Sequence, residues 1–259
     1  MAALFLVIAC SAALSAQTRE RFHTGPVAVR YSEGTVHGFL ELRGTNNSVL
    51  GHGDLLQIPK NNYIESRLIL RFLDGSYFEE TTRFTQHQVF QVQHYRLVQR
   101  GPAFAADLDA TLESSGRYVV KSTSHKDGDI DSWEGQLELP ADVANGLPVV
   151  LAKNVRAGDT AEVHLVAFTP KPRLIGLQIA SGGRDSFALG KNQQSIERYV
   201  IRPRLGALMG FFAKLLGKKP PDSEIWIVTE EVPTFLRFRG PMYTGPVWAL
   251  GLTTPQWPR

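Results

Sequence analysis

Ile64-Glu65-Ser66-Arg67-Leu68-Ile69-Leu70-Arg71-Phe72, then Asp74-Gly75, then Tyr77-Phe78-Glu79-Glu80-Thr81-Thr82-Arg83-Phe84, is the stretch that decides how this chain folds. In the first half Glu65, Arg67 and Arg71 interrupt apolar residues at even intervals, and in the second Glu79, Thr81 and Arg83 do the same. Alternation of this kind is the period of a half-buried strand, in which successive side chains point to opposite faces. Asp-Gly between two such runs is hairpin chemistry, because both residues tolerate the left-handed backbone of a tight turn.

The same rhythm extends outward. Val36, Phe39, Leu40 and Leu42 alternate with His37, Glu41 and Arg43, and Val89 to Val98 is broken by Gln91, Gln93 and Arg96. Turn residues part these runs at 44–47, 101–102, 114–116 and 126–128. Further strands are expected at 117–123, 131–139, 160–168, 173–181, 195–202, 224–230 and 234–239. With no alternation of strands and helices, the expected fold class is mainly β. A single curved antiparallel sheet, a half-barrel or partly closed barrel, would be covered by one or two short helices. The first helix is expected over Asp142 to Val155, with Val143, Leu147 and Leu151 on one face, weakened by Gly146 and Pro148. The second is expected over Leu205 to Gly217, where Leu205, Leu208, Met209, Phe211, Phe212, Leu215 and Leu216 fill one side of a helical wheel, before Pro220-Pro221 ends it. No linker divides residues 17–259, which read as one domain with a Pro/Gly-rich tail from about 240.

The first sixteen residues read as an export signal, an apolar run from Ala2 to Ala9 followed by small residues through Ala16. Cleavage there would leave a mature chain from Gln17 in the periplasm or outside the cell. Val7-Ile8-Ala9-Cys10 resembles a lipoprotein box and offers a second route, anchoring through an acylated Cys10. The signal lacks a positive n-region, which a start codon upstream of Met1 would supply. No run reaches the ~18 apolar residues a bilayer requires, so any membrane association is expected to be peripheral. Cys10 is the single cysteine, so the mature chain has neither a disulfide nor a thiolate site. A net charge of +3 scattered over 28 basic and 25 acidic residues leaves no footprint for nucleic acid.

Read for chemistry, the chain is quiet. Nucleophile elbow, zinc helix, phosphate loop and dinucleotide fingerprint are all missing, and no catalytic residue or cofactor is indicated. The seven histidines are dispersed; His52 with Asp54 is the nearest approach to a paired site. Asp127, Asp129 and Asp131 have the alternate spacing of a calcium loop, with Glu138 at the twelfth place, but Ser132 stands where that loop needs glycine. An acidic hairpin tip in water explains them as well. Trp133, Trp226, Trp248 and Trp257, with Phe39, Phe72, Phe78, Phe84, Phe90 and Phe168, suit either a core or a ligand cleft. Arg67, Arg71 and Arg83 fit surface ladders with Glu65, Glu79 and Glu80, or a headgroup at a cavity mouth.

Taken in order, the leader, the long meander, Leu137-Glu138-Leu139-Pro140, Ala157-Gly158-Asp159-Thr160, Glu224-Ile225-Trp226-Ile227 and Phe235-Leu236-Arg237-Phe238 resemble an uncharacterised family of exported bacterial β proteins of unknown function. That family is similar in outline to the half-barrel of the periplasmic lipoprotein carriers and their outer-membrane receptors (LolA/LolB-like). The resemblance implies an incomplete barrel with helical cover that holds acyl chains, and it supplies no catalytic residue. The leading expectation is a non-enzymatic periplasmic carrier or chaperone-like module for an apolar ligand such as an acyl chain, lipid or lipoprotein segment. Its contacts would come from Leu208, Phe211, Phe212 and Leu215 on a helical lid and from Trp133 and Trp226 on the sheet. The alternatives are an envelope scaffold that binds another protein through strand edges or its tail, and a glycan-acting or ester hydrolase using Asp107 and Asp109.

Overall fold

The computed structural model describes residues 22–168, 171–189, 192–204, 221–229, 231–242 and 246–253. Its strands are β1 (Phe22–Thr24), β2 (Val36–Arg43), β3 (Val49–Pro59), β4 (Ile64–Phe72), β5 (Tyr77–Gln86), β6 (Phe90–Arg100), β7 (Ala106–Glu113) and β8 (Arg117–Ser124). β9 (Ile130–Gln136) precedes helix α1 (Pro148–Asn154). The chain continues through β10 (Thr160–Ala167), β11 (Arg173–Leu189), β12 (Asn192–Arg204), β13 (Ser223–Val228), β14 (Thr234–Pro241) and β15 (Val247–Leu252). All fifteen strands belong to one curved sheet that is not closed, ordered β1-β10-β11-β12-β13-β14-β15-β2-β3-β4-β5-β6-β7-β8-β9. β1 lies parallel to β10, and the remaining neighbours run antiparallel.

Alternation sorts the strands as the opening stretch predicts. Leu40, Leu42, Leu70, Phe78, Phe84, Leu97, Leu112 and Ile225 are almost wholly buried and join one core on the concave side. Burying a side chain of this size contributes about 1.5–3 kcal/mol. Phe72, Phe104 and Trp248 meet edge to face with ring centroids 5.2–6.0 Å apart, which welds β15 to β4 across the curve. Trp248 is thus a core residue. On the outer face Arg67 Nε lies 2.7 Å from Glu79 and Arg83 Nε lies 2.8 Å from Glu65, forming the expected cross-strand ladders. Burial pushes the Glu79 carboxyl up, but the Arg67 guanidinium and the Tyr77 hydroxyl outweigh it and hold the group below its usual range.

Gly51 and Gly53 belong to the regular strand β3. Their missing side chains let β4 approach: a Cβ at Gly51 would stand 2.9 Å from Phe72 Cα, and one at Gly53 2.7 Å from Leu70 Cδ2. The expected helix over 142–155 is shorter and begins at Pro148. Gly146 adopts φ +73°, which interrupts any helix there, and Pro148 occupies the first turn, where its missing N–H costs nothing. Part of the Pro/Gly-rich segment from about 240 is strand. Gly240 and Pro241 finish β14, and Val247–Leu252 forms β15, hydrogen-bonded between β14 and β2. No helix of the described residues is long and apolar enough to cross a membrane. The leader 1–16 with Cys10, the expected helix over 205–217 and Trp257 lie outside the described residues.

Candidate functional site

The concave face is only partly filled. Residues 140–147 and α1 cross it as an internal plug, bringing Val143, Leu147, Val150 and Leu151 into the core. Asn145 fixes the crossing by imitating a strand: its Oδ1 accepts the Val166 amide at 2.8 Å and its Nδ2 donates to the Val166 carbonyl at 2.9 Å. Asn154, at the end of α1, accepts the amides of Arg30 and Tyr31, both at 2.8 Å, and so ties the segment before β2 over the helix. Lys153 points from the last turn of α1 to Glu33, 2.5 Å from Oε1, and both side chains are largely shielded from solvent.

Between this plug and the sheet lies a cavity of about 680 Å3, within the size range of small-molecule sites. Its lining is mainly apolar and includes Leu68 on β4, Leu165 on β10, Leu177 on β11 and Phe235 and Phe238 on β14. Phe235 and Phe238 both reach it although three positions apart. The β-bulge between the pairs Trp226/Arg237 and Ile227/Phe235 inserts Leu236 and reverses the parity of β14. Val36, Val232 and Leu252, which line the cavity, are exposed by 36%, 71% and 41% and mark an apolar rim open to solvent.

One polar row crosses this lining. Gln57, Ser66, Thr82 and Tyr95 occupy successive register positions on β3, β4, β5 and β6, and all four line the cavity. Glu80 stands two residues before Thr82, between Leu68 and Leu97 of the flanking strands, and accepts the Tyr95 hydroxyl at 2.7 Å. Burial pushes the Glu80 carboxyl up, offset only in part by that hydrogen bond. Glu80 is therefore not part of the outer ladder expected of it; that role falls to Glu65 and Glu79.

The other expected site residues are placed as follows. Trp133 on β9 packs against the core opposite the buried Val120 but does not line the cavity. Trp226 faces outward between Arg198 and Arg237, its Nε1 3.3 Å from Asp185 Oδ2 and its ring 5.6 Å from the Arg237 guanidinium carbon. It leaves the ligand face because β13 buries Ile225 and Ile227, one residue to either side. Leu208, Phe211, Phe212 and Leu215 lie outside the described residues.

Asp127, Asp129 and Asp131 sit at the β8–β9 hairpin without converging. The Ser124 hydroxyl and the Asp129 amide hold the Asp127 carboxyl below its usual range, and Asp131 belongs to β9 opposite Ser122. No group of three His, Cys, Asp or Glu that could hold a metal occurs among the described residues. Asp54 pairs with His37 at 3.1 Å and approaches Arg71 at 3.7 Å, across strands rather than with His52 along one. Asp107 accepts Gly101 N and His125 Nε2, at 2.9 and 2.8 Å, and Asp109 is held by Arg96 and Arg100. These two acids alternate with the buried Leu108 and Ala110, on the face away from the cavity.

No protein-family model matches the chain, and no curated protein matches it. Among solved structures it is similar to the crystal structure of a β-barrel-like protein of a domain of unknown function, DUF1849, from Brucella abortus. The two share 12% identity with a TM-score of 0.43, over 88% of this chain and 97% of the other.

Proposed function

We propose that this protein is a non-enzymatic binding module of the bacterial envelope that carries an apolar chain, such as the acyl chain of a lipid or lipoprotein, inside its curved sheet. The observation that carries this reading is the cavity of about 680 Å3 with its exposed apolar rim at Val36, Val232 and Leu252. Burial supplies the affinity. At ~25 cal/mol per Å2, a chain losing roughly 300 Å2 of apolar surface to the cavity gains ~7 kcal/mol before the cost of association is subtracted. Such binding is reversible and needs no reacting group. The envelope location rests on the apolar leader through Ala16, with an anchor through Cys10 as its variant. The partners are the apolar ligand and the envelope components that deliver or receive it.

The test is native mass spectrometry with lipid extraction on protein purified gently from a periplasm. A stoichiometric adduct is expected in the natural chain. It should be lost in Leu68→Trp, which fills the cavity with apolar volume and keeps the fold, as circular dichroism would verify. A clean apo mass together with failure to take up any added long-chain amphiphile would overturn the proposal and favour a scaffold acting through its strand edges.

A further inference from the structure

Three charged residues occur among the described residues that line the cavity: Glu33, Lys153 and Glu80. Glu33 and Lys153 neutralise each other at 2.5 Å. Among the described residues Glu80 has no cationic partner, and its single hydrogen bond comes from the Tyr95 hydroxyl, which engages one of its two oxygens. Across β4 from it, on β3, Gln57 is 3% exposed and lines the same space, and its side-chain amide makes no hydrogen bond to the described residues. Ser66 separates Gln57 from Thr82 in the polar row. The Gln57 amide and the second Glu80 oxygen face the cavity instead of the protein, so a ligand there that donates hydrogen bonds can engage both.

The geometry points to an ammonium-recognition site at the polar row, where Glu80, Gln57 and Ser66 together bind the terminal –NH3+ of an amphiphile whose alkyl or acyl chain fills the apolar part of the cavity. This rests on the binding function proposed above and names its ligand class. An ammonium has three donors and no acceptor, and the lining offers three acceptors on β3, β4 and β5: the Gln57 amide oxygen, the Ser66 hydroxyl and the second Glu80 oxygen, which stands next to the row. Charge complementarity points the same way. With Glu33 and Lys153 cancelling, the described lining carries one net negative charge, so a carboxylate or phosphate at this depth meets repulsion while an ammonium supplies the missing counter-ion. Burial pushes the Glu80 carboxyl up, and a cation beside it acts in the opposite direction by favouring the carboxylate.

The experiment compares dodecylammonium, dodecanol and dodecanoate, each below its micelle concentration, by calorimetric titration of the natural chain and of the Glu80→Gln and Gln57→Leu variants at neutral pH. In the natural chain the amine is expected to bind at least about tenfold more tightly than the carboxylate, the scale of a charge-assisted hydrogen bond. In Glu80→Gln the amine should fall to within about twofold of dodecanol, and Gln57→Leu should weaken the amine more than it weakens dodecanol. Equal binding of amine and carboxylate, or an amine affinity indifferent to both variants, overturns the ammonium site while leaving the cavity reading in place. Failure of all three probes to bind the natural chain overturns the cavity reading itself.

Discussion

Replacing Lys153 by methionine tests whether the plug is locked by charge to the segment before β2. The Lys153 ammonium lies 2.5 and 2.6 Å from the two Glu33 oxygens, and the two side chains are only 12% and 4% exposed. Methionine keeps most of the apolar stem but strands the Glu33 carboxylate. Breaking one side of a buried ion pair costs about 3–5 kcal/mol, because the remaining charge stays desolvated. The lower end, about 3 kcal/mol, is expected here, since the adjoining cavity lets water approach the stranded oxygens. Glu33 cannot simply swing out. Gln86 accepts the Glu33 amide at 2.7 Å and donates to the Glu33 carbonyl at 2.9 Å, which pins the backbone. Urea unfolding of the natural chain, Lys153→Met, Glu33→Leu and the double variant gives a complete cycle. Each single variant should lose about 3 kcal/mol, while the double variant, with no charge left to strand, should return to within about 1 kcal/mol of the natural chain. A loss below about 1 kcal/mol in Lys153→Met, or a double variant as unstable as the sum of the singles, would refute the reasoning.

Two further outcomes follow from the same interior. Gly146→Ala forces a left-handed residue to carry a side chain, and the new Cβ would occupy the place of the Thr82 hydroxyl; a loss of at least about 2 kcal/mol in thermal or urea unfolding is expected, and a neutral result would contradict the tight plug. Glu80→Gln should change how stability depends on pH. Because the folded carboxyl is pushed up, the unfolded chain releases its proton first as pH rises, and the natural protein loses stability from the ordinary glutamate pKa upward. The variant should therefore match it at acid pH and gain on it as pH rises towards neutrality, and a stability difference flat across that window would count against a desolvated Glu80.

Strands β2, β4, β5 and β6 are legible in the sequence because one of their faces is buried and the other wet, so alternation carries their position directly. β3 is harder: Gly51 and Gly53 occupy its inward positions, where close packing against β4 needs the absence of a side chain, and glycine beside histidine and aspartate imitates a turn. β15 is hidden by the Pro/Gly residues around it, although Trp248 and Leu250 keep the strand parity. Trp226 misleads in the opposite direction, since an aromatic ring on the outer face of β13 is held by Asp185 and Arg237 instead of a ligand. Glu80 is missed when acids are grouped by charge. Counted by parity it shares a face with Phe78, Thr82 and Phe84, and an acid on the face that carries two buried phenylalanines is the signal that places it inside.

The place of β15 gives the fold an order of assembly. Strands β2 to β9 form one consecutive meander and β10 to β14 another, and β15 alone joins them, through β14 on one side and β2 on the other. Until Val247–Leu252 is in place the sheet is two ribbons, each with an unpaired inner edge of the sort that recruits foreign strands. Closing the seam brings residue 249 beside residue 43, a contact across nearly the whole chain and therefore among the slowest to form. The last strand acts as a keystone: only once it is seated do the two ribbons become one continuous curve around the hollow.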